Sequence, residues 1–541
     1  MLFWSGFLPC VGRRGKSHME KEVINKLLGP EFIKTATVED IEREIRDGAD
    51  VNAKNEFDWT VLMKAARFNT NPEIITTLVK NGADVNARDE NGITVLMRAV
   101  ANNTNPEIIT NLVKNGADVH ARDENGITVL MRAVANNTNL EIITALIENG
   151  ADINARDEND ATVLMVAAQF NPNPEIIDAL VQNGADANAR DENGVTVLMV
   201  AAQFNPNPEI IDALVQNGAD VNARDENGMT ALVFATMFNT NPEVITALIE
   251  NGADVHARDE NGITVLMRAA INNTNLEIIT ALIENGADVN ARDENDATVL
   301  MVAAQFNPNP EIIDALVQNG ADVHARDENG ITVLMRAVAN NTNLEIITAL
   351  IENGADVHAR DENGITALVF AAENNTNPEI ITSLIKNGAN VNARYENGRT
   401  ALMLAVANNP NPEIIDALVQ NGADVHARDE DGITVLMIAA SNNTNPEIIT
   451  ALVKNGADVH ARIEDGSTVL MGAALLNTNP EVIDVLLENG ANPRLVNDEG
   501  ETAFDYAKEN KKLKNTKAYW KLYELLYGKK PNFFDKVREV F

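Results

Sequence analysis

Cysteine is nearly absent: Cys10 is the only one in 541 residues. A disulfide framework, a thiolate zinc site and an iron–sulfur cluster are therefore excluded. No apolar run approaches the roughly 18 residues that a membrane span requires. Positive charge is scarce, with 43 Lys and Arg against 80 Asp and Glu and a net charge of −37. Such a balance disfavours nucleic-acid binding, which sets cations against phosphate. Aromatic residues are only 4%. No nucleophile elbow, P-loop, HExxH, CxxC or dinucleotide-type glycine loop occurs in its required context, so no enzyme class, cofactor or small-molecule substrate is indicated. What the chain does have is 45% hydrophobic residues, too many for a disordered acidic polymer. A chain both this apolar and this acidic must hold its charge on a large solvated surface.

The resolution lies in self-similarity. An Asn-Gly-Ala-type glycine recurs every 34 residues, from Gly48 and Gly82 through Gly456 to Gly490, with no insertion or deletion. Threonines keep the same step from Thr60, Thr94 and Thr128 to Thr468 and Thr502. This excludes a string of unrelated globular domains and makes one supersecondary unit the object to explain.

Residues 105–138 give the unit. Asn105 is suited to a helix N-cap and Pro106 to the first helical position. Ile108, Ile109, Leu112 and Val113 form an apolar stripe, and Gly116 supplies the left-handed residue after the helix. Asn125-Gly126 marks a tight turn. Thr128 caps a second helix whose core face is Leu130, Ala133 and Val134. Both helices are too short to persist alone and require stacking on neighbours.

The stretches DENGITVLMRAV and EIITALIENGADVNAR, recurring in register about fourteen times, resemble the ankyrin repeat over roughly residues 31–527. The resemblance implies an all-α repeat solenoid of stacked helix-turn-helix units with β-turn or hairpin-like loops. It further implies a non-catalytic scaffold that grips a protein or peptide along a concave inner-helix and turn surface. Two departures stand out. The unit has 34 residues where 33 is common, with the extra one between the helices. The usual Thr-Pro-Leu-His reads Thr94-Val95-Leu96-Met97; the family's histidine ties adjacent turns together, so its replacement by methionine implies loss of that polar network. Asp58, Asp160 and Asp296 replace the turn glycine, which aspartate tolerates in the left-handed region.

The expected organisation is a disordered leader and start of the N-terminal cap over 1–30, a capping repeat over 31–49 and the array over 50–490. A C-terminal capping repeat over 491–528 and a basic, aromatic tail over 529–541 complete it. Residues 1–18 place Arg13, Arg14 and Lys16 after the apolar segment, the reverse of a secretory signal; Met19 is an alternative start. A cytoplasmic location is expected, with secretion the alternative that the leader leaves open. From Lys508 onward ten Lys and Arg face four carboxylates, read as a solvated cap complementing the acidic array, or else as a docking segment for an acidic surface.

Three patterns imitate sites. His120, His256, His324, His358, His426 and His460 share one repeat position with Asn86 and Asn222, but stacked repeats stand about 8–10 Å apart, too far for shared metal ligation. Asp84, Asn86, Asp89 and Asn91 fail EF-hand spacing and read as turn formers. Asp123–Glu124 reads as a pair of exposed carboxylates at a tip with no nucleophile beside it.

Since the scaffold is nearly constant, differences between copies carry the information. Four residues after the threonine stand Arg98, Arg132, Arg268 and Arg336 in some copies, Val166, Val200, Val302, Phe234 and Phe370 in others, and Lys64, Leu404, Ile438 and Gly472 in the rest. At the helix exit stand Arg67-Phe68, Gln169-Phe170, Gln203-Phe204, Phe238 and Gln305-Phe306. The resemblance makes these the partner-contact candidates: Arg67, Phe68, Arg98, Arg132, Gln169, Phe170, Gln203, Phe204, Phe234, Phe238, Arg268, Gln305, Phe306, Arg336 and Phe370. The arginines have no evident buried partner. Residues 117–186 recur at 253–322 with three changes, so block copying accounts for part of the mosaic. The charge is banded: 173–206 has five acids against Arg190, whereas 105–138 is nearly neutral. A basic protein or peptide is the expected partner. A spacer rod without a groove ligand and a secreted effector acting on a host protein are the alternatives.

Overall fold

The computed structural model describes residues 26–528. The leader up to residue 25 and the tail 529–541 lie outside the described residues. The chain divides into two compact units, one ending at Glu260 and including Glu284–Ala287, the other formed by Asn261–Ile283 and the residues from Asp288 onward.

In the first unit, inner helices such as Val95–Asn102, Val129–Asn136 and Val163–Phe170 alternate with outer helices such as Pro106–Lys114 and Leu140–Glu148. Each inner helix packs on the next inner helix and each outer helix on the next outer one. The second unit repeats the scheme from Val299–Phe306 to Val469–Leu476 and closes on Ala503–Glu509 and Lys517–Tyr527. Each unit is thus an all-α repeat solenoid, its turns closed by single antiparallel bridges such as Arg122↔Thr128.

The local chemistry follows the expected logic. Thr128 Oγ1 accepts the Met131 amide at 3.2 Å, and Asn105 Oδ1 accepts the Glu107 amide at 3.0 Å. Gly116 ends the outer helix at φ 94°. At the other turn, Asp58, Asp160 and Asp296 adopt φ 58°, 63° and 62° in place of glycine. The inner helix buries Val129, Leu130, Met131, Ala133 and Val134, and the outer helix Ile142, Ile143 and Leu146. Each large aliphatic side chain so buried contributes about 1.5–3 kcal/mol, supplied only when a neighbouring repeat covers it.

Loss of the family histidine does not remove the polar ties between repeats; other residues make them. Arg88 Nη1 donates to Gly92 O in its own turn at 2.8 Å and to Arg122 O in the next at 2.7 Å, and Arg122, Arg190 and Arg326 repeat this. Asn103 Nδ2 donates to Ala66 O and Asn69 O at 2.8 and 2.9 Å. Methionine acts within a repeat instead: the Thr196 amide donates to Met199 Sδ at 3.3 Å at the start of its own inner helix.

At one end of the first unit, Pro30–Thr35 and Val38–Arg46 pack against Val61–Phe68 and Pro72–Lys80 respectively. Thr37 and Asp40 close a capping box on the second of these helices. At the far end of the second unit Phe504 lies 4.9 Å from the Tyr519 ring and 5.3 Å from Tyr523. The helix that carries Tyr519 and Tyr523, Lys517–Tyr527, packs on Pro480–Glu488.

Candidate protein-binding surface

The variable positions sit on one helical face, because residues four and eight after the threonine are one turn apart. Their environment depends on an aspartate five residues before the threonine. Asp89 Oδ1 accepts the Asn91 and Ile93 amides, both at 3.0 Å, and so organises the turn. Its Oδ2 is left for the inner helix.

In the arginine repeats that oxygen is used. Arg98 pairs with Asp89 through Nη2, and through Nε at 3.1 Å. Arg132 pairs with Asp123 at 2.5 Å and Arg336 with Asp327 at 2.7 Å. These aspartate side chains are at most 2% exposed. Two expectations are corrected: these arginines do have buried partners, and Asp123 is not an exposed tip carboxylate, although Glu124 beside it is exposed. A guanidinium spans the distance from helix to turn, so charge paired within a repeat is withdrawn from the surface. Arg268 occupies the same register and is half-buried. Arg336 also reaches Gln305 Oε1 of the preceding repeat at 3.4 Å.

In the valine repeats the oxygen has no such partner. Asp157 Oδ1 accepts the Asn159 and Ala161 amides at 2.9 and 3.0 Å. Its Oδ2 is buried without a hydrogen bond, opposite the register of Val166. Burial pushes the Asp157 carboxyl above the ordinary range, and the charges of Asp160 and Glu158 add to the rise.

The aromatic candidates separate by exposure. Phe68, Phe204, Phe238 and Phe306 are 38%, 48%, 41% and 54% exposed. Phe170 and Phe370 are half-buried, while Phe234 is buried with its ring 6.4 Å from Phe238. Gln169 is buried, and Gln203 is half-buried. Trp59, not singled out from sequence, lies against two cations: Arg98 is 4.2 Å and Arg67 5.2 Å from its ring centre. Desolvation, followed by repulsion from Arg98, pushes Arg67 down from its ordinary pKa. Arg67 also lies 5.1 Å from the Phe68 ring.

The site imitators resolve into turn chemistry. Asp84 Oδ1 accepts the Asn86 amide at 3.0 Å. Asn86 bridges repeats by donating to Gly116 O and accepting the Asp118 amide, both at 2.9 Å. The His120 amide makes the matching turn bond to Asp118 at 2.9 Å. Among the described residues no three His, Cys, Asp or Glu side chains converge as a metal site would need, and no helix is long and apolar enough to cross a membrane.

Fold and surface together define the class: a helical repeat solenoid whose scaffold is held by turn-forming polar residues and whose variable face lies on the inner helices. A family profile described as "Ankyrin repeats (3 copies)" matches residues 21–123, 62–157, 96–191, 164–259, 237–327, 334–429 and 436–534. A second, "Ankyrin repeats (many copies)", matches 307–351 and 409–453. The chain belongs to the ankyrin repeat family. Repeats of this family are generally protein–protein interaction modules and typically non-catalytic. Comparison with curated proteins gave no match.

Proposed function

We propose that the protein is a non-catalytic scaffold that holds a basic protein or peptide along the inner-helix and turn face of its repeats. The observation that carries this reading is the set of exposed phenylalanines, Phe68, Phe204, Phe238 and Phe306, at one repeat register on a strongly acidic chain. Aromatic side chains held in the open contribute nothing to the fold in proportion to their size, and they are the side chains that anchor interfaces. The arginines at the neighbouring register favour a basic partner over an acidic one, because Arg98, Arg132 and Arg336 are already neutralised by buried aspartates.

The test is a partner captured by proximity cross-linking in the native cell and then measured with purified proteins. Phe204→Ser with Phe306→Ser should weaken binding about tenfold or more, as loss of interface anchors does, and affinity should fall between low and physiological salt. Unchanged affinity in the double variant, or indifference to salt, would remove this reading. Block copying favours a second one, a spacer without a groove ligand, which predicts that the same variants alter no interaction of the protein.

A further inference from the structure

Asparagine followed by glycine is the pair in which a side-chain amide is most readily lost, because glycine sets no side chain in the way of its own nitrogen. The repeat carries this pair twice, once where the outer helix ends and once at the turn tip. Asn81-Gly82 and Asn115-Gly116 stand in the first register, and Asn91-Gly92, Asn125-Gly126 and Asn193-Gly194 in the second. Both registers hold the glycine in the left-handed region, at φ 94° for Gly116 and 76° for Gly126. In both the glycine amide donates within its own turn, Gly116 to Val113 O at 2.9 Å and Gly126 to Asp123 O at 3.1 Å.

The registers differ at the asparagine side chain. Asn81 Nδ2 donates to Thr77 O at 2.8 Å, Asn115 Nδ2 to Asn111 O at 2.8 Å and Asn149 Nδ2 to Ala145 O at 2.7 Å. Asn183, Asn319 and Asn489 make the same bond. It ties down the nitrogen that would leave and draws the side chain back along the helix, away from the glycine that follows. At the tip no such bond exists. Asn91, Asn125 and Asn193 take part through their backbone amides, which donate to Oδ1 of Asp89, Asp123 and Asp191 at 3.0, 2.9 and 2.9 Å. Their side chains are exposed and hydrogen-bonded to none of the described residues. Exposure alone does not separate the registers, since Asn81 and Asn149 are exposed too. The chain's own variation supplies a second observation. Asp431 stands at the tip register before Gly432, which keeps φ 75°, and its amide donates to Asp429 Oδ1 at 3.1 Å. One copy of the turn thus already carries the acid in place of the amide.

We propose that the tip asparagines are modification sites that lose ammonia to become aspartate and isoaspartate, while the helix-end asparagines of the same dipeptide are protected. Hydroxide takes the proton of the glycine nitrogen, which attacks the asparagine side-chain carbonyl carbon; the bond from that carbon to Nδ2 breaks, and the nitrogen leaves with a proton from water as ammonia. The succinimide so formed takes up one water. Opening at the side-chain carbonyl gives aspartate, as at Asp431, and opening at the backbone carbonyl gives isoaspartate, whose main chain runs through one extra methylene. Either product sets a carboxylate, ionised at neutral pH, where a neutral amide stood. Isoaspartate at residue 125 also lengthens the turn, pulling Gly126 from Asp123 O and the Ile127 amide from Asp123 Oδ1, which it meets at 3.0 Å. Attack at the tip needs only the local opening of an exposed turn. The inference is independent of the binding reading.

The full chain tests it, incubated at mildly alkaline pH both folded and unfolded in urea, then cleaved after Lys and Arg. Peptides 89–98 and 123–132 report the tip pair, and peptides 81–88 and 115–122 the helix-end pair, copies of identical sequence being read together. An unincubated sample corrects for conversion during cleavage. Mass spectrometry reads the exchange of amide for acid, and methylation by an isoaspartyl methyltransferase reads the isomer. In the folded chain the tip pairs should convert about fivefold faster or more than the helix-end pairs, the factor that one side-chain hydrogen bond is worth. In urea the difference should vanish. Equal rates in the folded chain, faster conversion at the helix ends, or tips that stay intact while the unfolded chain converts would overturn the proposal. So would a difference of the same size in urea, which would place its cause in the neighbouring residues rather than in the structure.

Discussion

At the residue scale, one aspartate does two jobs with its two oxygens, and the difference between repeats reduces to whether the second is partnered. Asp123 has Arg132; Asp157 has none. Arg132→Met should make Asp123 resemble Asp157, leaving a carboxylate oxygen buried without a cation. The expected cost at neutral pH is about 2 kcal/mol, in the range for orphaning a buried polar group. The pH dependence follows from the direction seen at Asp157, where burial raises the carboxyl's pKa. A carboxyl orphaned by burial in this way is held protonated more tightly in the native state than in the unfolded one. The penalty is then complete above the raised folded pKa and fades as pH falls through it. Urea melts of variant and wild type should therefore converge on acidification. A difference that stays constant or grows in acid would mean that the pair is not what stabilises this turn. The pairing was readable in the sequence only as a co-occurrence nine residues apart, Asp with Arg in some copies and Asp with Val in others. Nothing in the spacing showed that a guanidinium on a short helix reaches back over its own cap. Trp59 was missed because tryptophan stands in a single copy at a turn position that is Ile, Val or Ala in most others.

At the element scale, helix positions were legible because every terminus carries its own chemistry: Thr128 and Asn105 as caps, Pro106 inside the start, Gly116 past the end. The ties between elements were not legible. Histidine loss suggested weaker coupling, yet asparagine and arginine donate to carbonyls of adjacent repeats, and such bonds span 30–37 residues in sequence. Asn103 is the clearest case. It donates twice to the preceding repeat and its Oδ1 accepts the Asn105 amide at 3.0 Å, which leads the chain into the next helix. Asn103→Ala should cost about 3 kcal/mol, the sum of buried bonds lost and carbonyls left unpaired. In a solenoid the loss stays local. Hydrogen exchange should accelerate in residues 61–114 and remain as in wild type in the second unit. Uniform loss of protection along the chain would show that the repeats do not fail locally.

At the scale of the whole molecule, the acidic and apolar halves of the composition occupy different places. Repeating Val, Leu, Ile, Met and Ala positions fill the stacked interior of each unit, while most carboxylates lie at turns and outer-helix ends. The exposed phenylalanines belong to neither group, and the claim that they mark the binding face is what the account stands on. The most direct test places a photo-activatable phenylalanine analogue at Phe204 or Phe306 in the native cell, and separately at Gln182 or Gln318 on the outer helices. The two inner-helix positions should cross-link one and the same partner, and the outer-helix positions should not. Cross-linking to that partner from Gln182 or Gln318, with none from Phe204 and Phe306, would contradict it.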